Sequence, residues 1–111
     1  MDTIQDQLAQ EMAAEIVRLI SPQRIILFGS RARGDARADS DVDLLIVQDR
    51  PFTPEQSRYK QMGYLWRRLA RFRVPKDILI YTPAEIAIWR DSKNHVIGYA
   101  LREGRLLYER A

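Results

Sequence analysis

Gly29-Ser30-Arg31-Ala32-Arg33-Gly34-Asp35, resuming at Ser40-Asp41-Val42-Asp43-Leu44-Leu45-Ile46-Val47, is the stretch on which the fold turns. Just ahead of it, Arg24-Ile25-Ile26-Leu27-Phe28 is β-branched, aromatic and nearly continuous, which predicts a buried strand closed by Gly29-Ser30. Asp41 to Val47 predicts a second strand. The polar residues 31–40 between them have room for a short helical turn. In a strand, residues i and i+2 share a face about 6.6 Å apart. Asp41 and Asp43 therefore project together, with Val42 and Leu44 on the opposite face.

Two carboxylates held this close repel unless a cation sits between them. Mg²⁺ is suited to that place, because it takes oxygen ligands from one or two carboxylates plus substrate phosphates. Two such ions about 3.5–4 Å apart can stabilise both the attacking and the leaving oxygen of a displacement. Asp77 opens a further aliphatic run, Ile78-Leu79-Ile80-Tyr81. If that strand lies beside the second, Asp77 joins the Asp41/Asp43 face as metal ligand, as general base toward an acceptor hydroxyl, or as both. Gly29 lets a phosphate approach the backbone, and Ser30 offers a hydroxyl and its N–H. Arg31 and Arg33 can neutralise phosphate oxygens as charge-assisted donors. Asp35 and Asp39 are assigned to the turn.

Outward from this block, Ile4, Leu8, Met12, Ile16 and Ile20 recur at helical spacing, with a Thr3/Asp6 cap ahead and Ser21-Pro22 as a stop. Thr53-Pro54-Glu55-Gln56 predicts a helix start, and Tyr59, Met62, Leu65, Trp66, Leu69 and Phe72 form its apolar face. Thr82-Pro83-Ala84-Glu85 repeats the start signal for a short helix. A last helix is expected from about Lys93 to a left-handed cap at Gly104, with His95 as a cap or surface residue. Arg105 to Tyr108 is read as a terminal strand. Trp66 and Trp89 are assigned to the core, with partner contact second. The arginines at 67, 68, 71 and 73 are read as a solvated face or a docking patch for an acidic partner. Direct nucleic-acid binding is disfavoured, because no aromatic RNA-reading motif accompanies them.

The order of elements predicts an α/β (α+β) fold: a small mixed sheet flanked by helices, in one domain over residues 1–111. Hydrophobic residues make up 46% and charged residues 30%, a globular balance, and the net charge of +3 permits nucleic acid, nucleotides or an acidic partner protein. The absence of cysteine excludes disulfides, thiolate metal sites and a cysteine nucleophile. No signal peptide and no membrane span are read, so a cytoplasmic protein is expected.

The spacing Gly29-Ser30, ten residues, Asp41-Val42-Asp43 resembles the signature of the DNA polymerase β-like nucleotidyltransferase superfamily. The fuller stretch from Gly29 to Asp35 and from Ser40 to Leu44 resembles the minimal nucleotidyltransferases (MNT), the antitoxin halves of HEPN–MNT toxin–antitoxin pairs. Asp77 before Ile78-Leu79, Thr82-Pro83 and the ending Gly104-Arg105-Leu106-Leu107-Tyr108-Glu109 are similar to that group too. The resemblance implies that Asp41 and Asp43 hold Mg²⁺ against the triphosphate of ATP, with Asp77 completing the triad. Gly29 and Ser30 would seat the phosphates. It also implies adenylylation of a tyrosine on a cognate HEPN ribonuclease toxin, which is thereby silenced. A binding-only antitoxin and a dimeric small-molecule nucleotidyltransferase are the alternatives. The three convergent acids argue against the first, and the short chain, with no added helical domain for a small acceptor, argues against the second.

Overall fold

The computed structural model describes residues 4–37 and 39–111, with side chains from residue 7 onward. The Thr3/Asp6 cap lies outside the described residues. Helix α1 (Ile4–Ile20) is followed by strand β1 (Arg24–Phe28), the single turn α2 (Ser30–Arg33) and strand β2 (Val42–Val47). Then come α3 (Arg58–Arg68), β3 (Lys76–Tyr81), α4 (Pro83–Trp89), α5 (Val96–Glu103) and β4 (Arg105–Glu109). The sheet order is β3-β2-β1-β4. β1 is antiparallel to both β2 and β4, whereas β2 and β3 run parallel. The parallel pair needs a crossover, and α3 supplies it. The expected mixed sheet flanked by helices is the fold observed.

The period of the strands divides the core in two. Ile25, Leu27, Val42, Leu44, Ile46, Ile78 and Ile80 face one way and meet Ala9, Met12 and Ile16 of α1 with Leu65 of α3 and the adjacent Leu69. The other face carries Ile26, Phe28, Leu45 and Val47 under Ile86 of α4 and Ile97 and Ala100 of α5. Each fully buried Leu or Ile contributes about 2 kcal/mol of transfer free energy. Asp43 and Asp77 stand on this second face, each two residues before an aliphatic member of it.

Four local expectations are corrected. Thr53-Pro54-Glu55-Gln56 does not start α3. Its signal closes on itself as a turn, in which Thr53 Oγ1 accepts from the Gln56 N–H at 3.0 Å, and Ser57 caps the helix instead. Tyr59 and Trp66 are 83% and 50% exposed, because Leu65 and Leu69 claim the core-facing stripe and these two rings fall on its flank. Trp89 is also exposed, stacked on His95 at 4.4 Å between ring centroids. Gly104 is extended at φ −85° rather than left-handed. A Cβ there would lie 2.3 Å from the Ala100 carbonyl oxygen and 2.6 Å from Ile26 Cγ2, so close approach is what its missing side chain permits.

The Thr82/Glu85 capping box of α4 forms as expected. His95 caps α5, its Nδ1 accepting from the Ile97 N–H at 3.0 Å. Among the described residues, no helix is long and apolar enough to cross a membrane.

Candidate active site

Parallel pairing places Asp43 directly opposite Asp77. Residues so paired share a face, and their strands lie about 4.8 Å apart. Asp41 immediately precedes β2 and is exposed, as is Asp77, while Asp43 is partly buried. Asp43 is therefore the acid that burial acts on. Burial first, then the charges of Asp77 and Asp41, push its pKa up to about 6, against the opposing pull of Arg31 and Arg33. The structure thus brings Asp77 and Asp41 each within electrostatic reach of Asp43 at one end of β2 and β3.

Gly29 lies under this group. Its φ of 77° is the left-handed side that glycine favours. A Cβ built there would come within 2.2 Å of Asp43 Oδ2. The glycine thus accommodates the carboxylate itself as well as the turn into α2. Ser30 opens that turn and is half-buried.

The two arginines part company. Arg31 is buried, with Nε and Nη2 both donating to the Ser40 carbonyl oxygen at 2.9 and 2.7 Å. It clamps the loop that delivers Asp41. Arg33 is exposed, donates from Nη1 to the Tyr99 hydroxyl at 2.6 Å and pairs with Asp35 at 3.4 Å. Tyr99, on α5, meets Phe28 edge-on at 6.1 Å between centroids, and Phe28 is the β1 partner of Asp43. No local pattern marks Tyr99 in the sequence, since only the packing of α5 over β1 brings it here.

Among the described residues, no three His, Asp or Glu side chains close on one point as a ready-made metal cage. The donor set nonetheless fits Mg²⁺, which demands few protein carboxylates when substrate phosphates supply the remaining oxygens. Asp43, half-desolvated and repelled by both Asp77 and Asp41, gains most from a divalent cation beside it.

A family model for the nucleotidyltransferase domain matches residues 9–97, from α1 into α5 and across all three acids. The chain belongs to the nucleotidyltransferase domain family. This nucleotidyltransferase domain is 41% identical over 58 residues to a candidate protein adenylyltransferase of Methanocaldococcus jannaschii, a match covering 51% of this chain and 52% of that protein. The match thus spans about half the length of that relative. In structure the domain is similar to a candidate nucleotidyltransferase from Sulfolobus solfataricus, with a TM-score of 0.60 and 25% identity over 94% of this chain and 79% of that one. It is also similar to a chain in the structure of a tri-AMPylated Shewanella oneidensis HEPN toxin in complex with its MNT antitoxin. There the TM-score is 0.53 and the identity 16%, over 94% of this chain and 72% of that one, a likeness of fold.

Proposed function

We propose that this nucleotidyltransferase domain is a Mg²⁺-dependent protein adenylyltransferase that acts as an antitoxin. It transfers AMP from ATP to a tyrosine hydroxyl of a cognate HEPN ribonuclease toxin and so neutralises it. The observation that carries the reading is the pairing of Asp43 with Asp77 on parallel neighbours, with Asp41 two residues upstream. Membership of the nucleotidyltransferase family and the similarity to a candidate protein adenylyltransferase support it. A reaction that consumes ATP and silences a ribonuclease would run in the cytoplasm.

Asp41 and Asp43 would hold Mg²⁺, as one ion or two, with Asp77 completing the set. The metal's contribution is to neutralise phosphate charge and so favour departure of pyrophosphate. Gly29 and Ser30 would seat the triphosphate at the start of α2. Arg33, on the exposed side of that turn, would meet its outer oxygens, and Arg31 would hold the Ser40–Asp41 loop in register. The acceptor oxygen attacks the α-phosphorus in line, its proton passes to a carboxylate, for which Asp77 is the exposed candidate, and the bond to the pyrophosphate oxygen breaks.

The test is to incubate the protein with radiolabelled ATP, Mg²⁺ and a candidate HEPN partner protein, alongside an Asp41→Asn/Asp43→Asn variant. Label on the HEPN protein, lost with the variant or with a chelator, is the expected result. A stable complex formed equally by both forms without label would replace this reading with antitoxin action by binding alone.

A further inference from the structure

Residues 56–76 contain seven arginines and lysines and not one aspartate or glutamate, although the whole chain carries a net charge of only +3. The rest of the chain is therefore net acidic, and the positive charge is concentrated on α3 and its exit. The topology decides where that charge lands. β2 and β3 are parallel, so α3 must return the chain from the far end of β2 to the start of β3. Its last turn, with Arg67 and Arg68, thus ends at the end of the sheet that bears the acids. Arg71, Arg73 and Lys76 follow in the connection that runs straight into Asp77. The connection is tied to the acid-bearing strand by the Val42 N–H, which donates to the Pro75 carbonyl oxygen at 2.9 Å.

A helix C-terminus favours cations, and this accounts for Arg67 and Arg68. It does not account for Arg71, Arg73 and Lys76, which lie beyond the helix. Among the described residues, no side-chain hydrogen bond or ion pair engages Arg67, Arg68 or Arg73, and all three are exposed. Arg71 differs, because it faces Glu15 of α1 at 3.8 Å and lies over the Phe72 ring.

We propose that the Arg67–Lys76 surface docks an acidic segment of the acceptor protein, which presents its hydroxyl to the neighbouring Asp41/Asp43/Asp77 group. The inference rests on the adenylyltransferase reading for the identity of the acceptor. Carboxylates meet arginine forks in bidentate geometry, and charge complementarity steers encounter and fixes register. A single-stranded nucleic acid would in addition want open aromatic faces for its bases. Here Lys76 Nζ sits over the Trp66 ring at 5.0 Å, and Phe72 is buried beneath Arg71. The two rings nearest the charge are thus each engaged by a cation, the half-exposed Trp66 by Lys76 and the buried Phe72 by Arg71, which favours protein over RNA.

The probe is a fluorescent, glutamate-rich copolymer of glutamate and tyrosine, with a single-stranded RNA oligonucleotide as competitor. Binding is measured by anisotropy on the full chain without ATP, and then as label transfer with ATP and Mg²⁺. Wild type should bind the copolymer in a salt-sensitive manner. Arg67→Glu/Arg73→Glu should weaken it by about tenfold or more while ATP affinity and melting temperature stay unchanged. Arg67→Gln/Arg73→Gln, which cannot introduce repulsion, should weaken it less. Equal binding by the charge-reversed variant would overturn the proposal, as would RNA displacing the copolymer at far lower concentration. Patch-dependent binding of the copolymer without label transfer would uphold the docking surface and count only against tyrosine as acceptor.

Discussion

Gly29 and Asp43 are packed so that a single added methyl on the glycine would meet the carboxylate, with Cβ 2.2 Å from Oδ2. The contact joins the turn into α2 to the acid-bearing strand. It makes residue 29 intolerant of any side chain on two counts, the close approach and the positive φ. Gly29→Ala is expected to cost about 1–3 kcal/mol of stability. It should also displace Asp43, so that nucleotide affinity falls further than stability alone predicts. Chemical denaturation together with ATP titration of the folded fraction checks this. Unchanged ATP affinity in the variant would show that the contact serves only the turn.

The raised pKa of Asp43 gives stability a sign. Its folded-state value of about 6 lies above the ~3.9 of an unfolded aspartate. Between these values the folded chain binds more protons than the unfolded one, so stability falls as pH rises through the window and levels off above about 6. Asp43→Asn should flatten that slope and raise the melting temperature of the metal-free protein at neutral pH. The gain is on the order of 1 kcal/mol, reduced from the full shift because solvent screens a half-exposed group. Mg²⁺ should raise the melting temperature of wild type more than that of the variant. Parallel stability–pH curves for the two proteins would contradict the assignment.

Arg31 is a buried cation whose Nε and Nη2 converge on one carbonyl, that of Ser40. Lysine has no such fork, so Arg31→Lys is not conservative here. A loss of about 2–4 kcal/mol is expected, together with reduced nucleotidyl transfer through a misplaced Ser40–Asp41 loop. Thermal melts and label transfer measured on the same preparation decide the matter. A variant as stable as wild type would mean the clamp is dispensable.

Tyr99 holds Arg33 by its hydroxyl at 2.6 Å and keeps its ring on Phe28. Tyr99→Phe removes the hydrogen bond and spares the ring contact. If Arg33 meets the triphosphate, the variant should raise KM for ATP about threefold to tenfold with little change in kcat, the signature of lost ground-state binding. Arg33→Ala should show the same pattern more strongly. A fall in kcat at unchanged KM would place the pair in the transition state instead.

Much of this was legible because local physics repeats faithfully. Arg24–Phe28 and Val42–Val47 are short, β-branched and mostly apolar runs, which suit a buried strand, and Thr82-Pro83-Ala84-Glu85 carries its own capping box. The same start signal misled at Thr53, because a Thr-to-backbone hydrogen bond satisfies a turn as readily as a helix. Gly104 misled in a similar way, since a glycine needed for close approach cannot be told locally from one needed for a left-handed cap.

The sequence by itself determined which residues carry acid, cation and backbone freedom, and it placed Asp43 on a strand with Asp41 two residues upstream, although that strand was expected from Asp41 and begins at Val42, because the apolar pattern of a strand is a property of the local chain. Only the tertiary structure decided that Asp77 faces Asp43, that Arg31 is buried while Arg33 is exposed, and that Tyr99 and the basic exit of α3 border the acids. Those relationships depend on strand pairing and on helices packing across long separations in sequence. Their free energies are shared among many contacts and are written in no single local pattern.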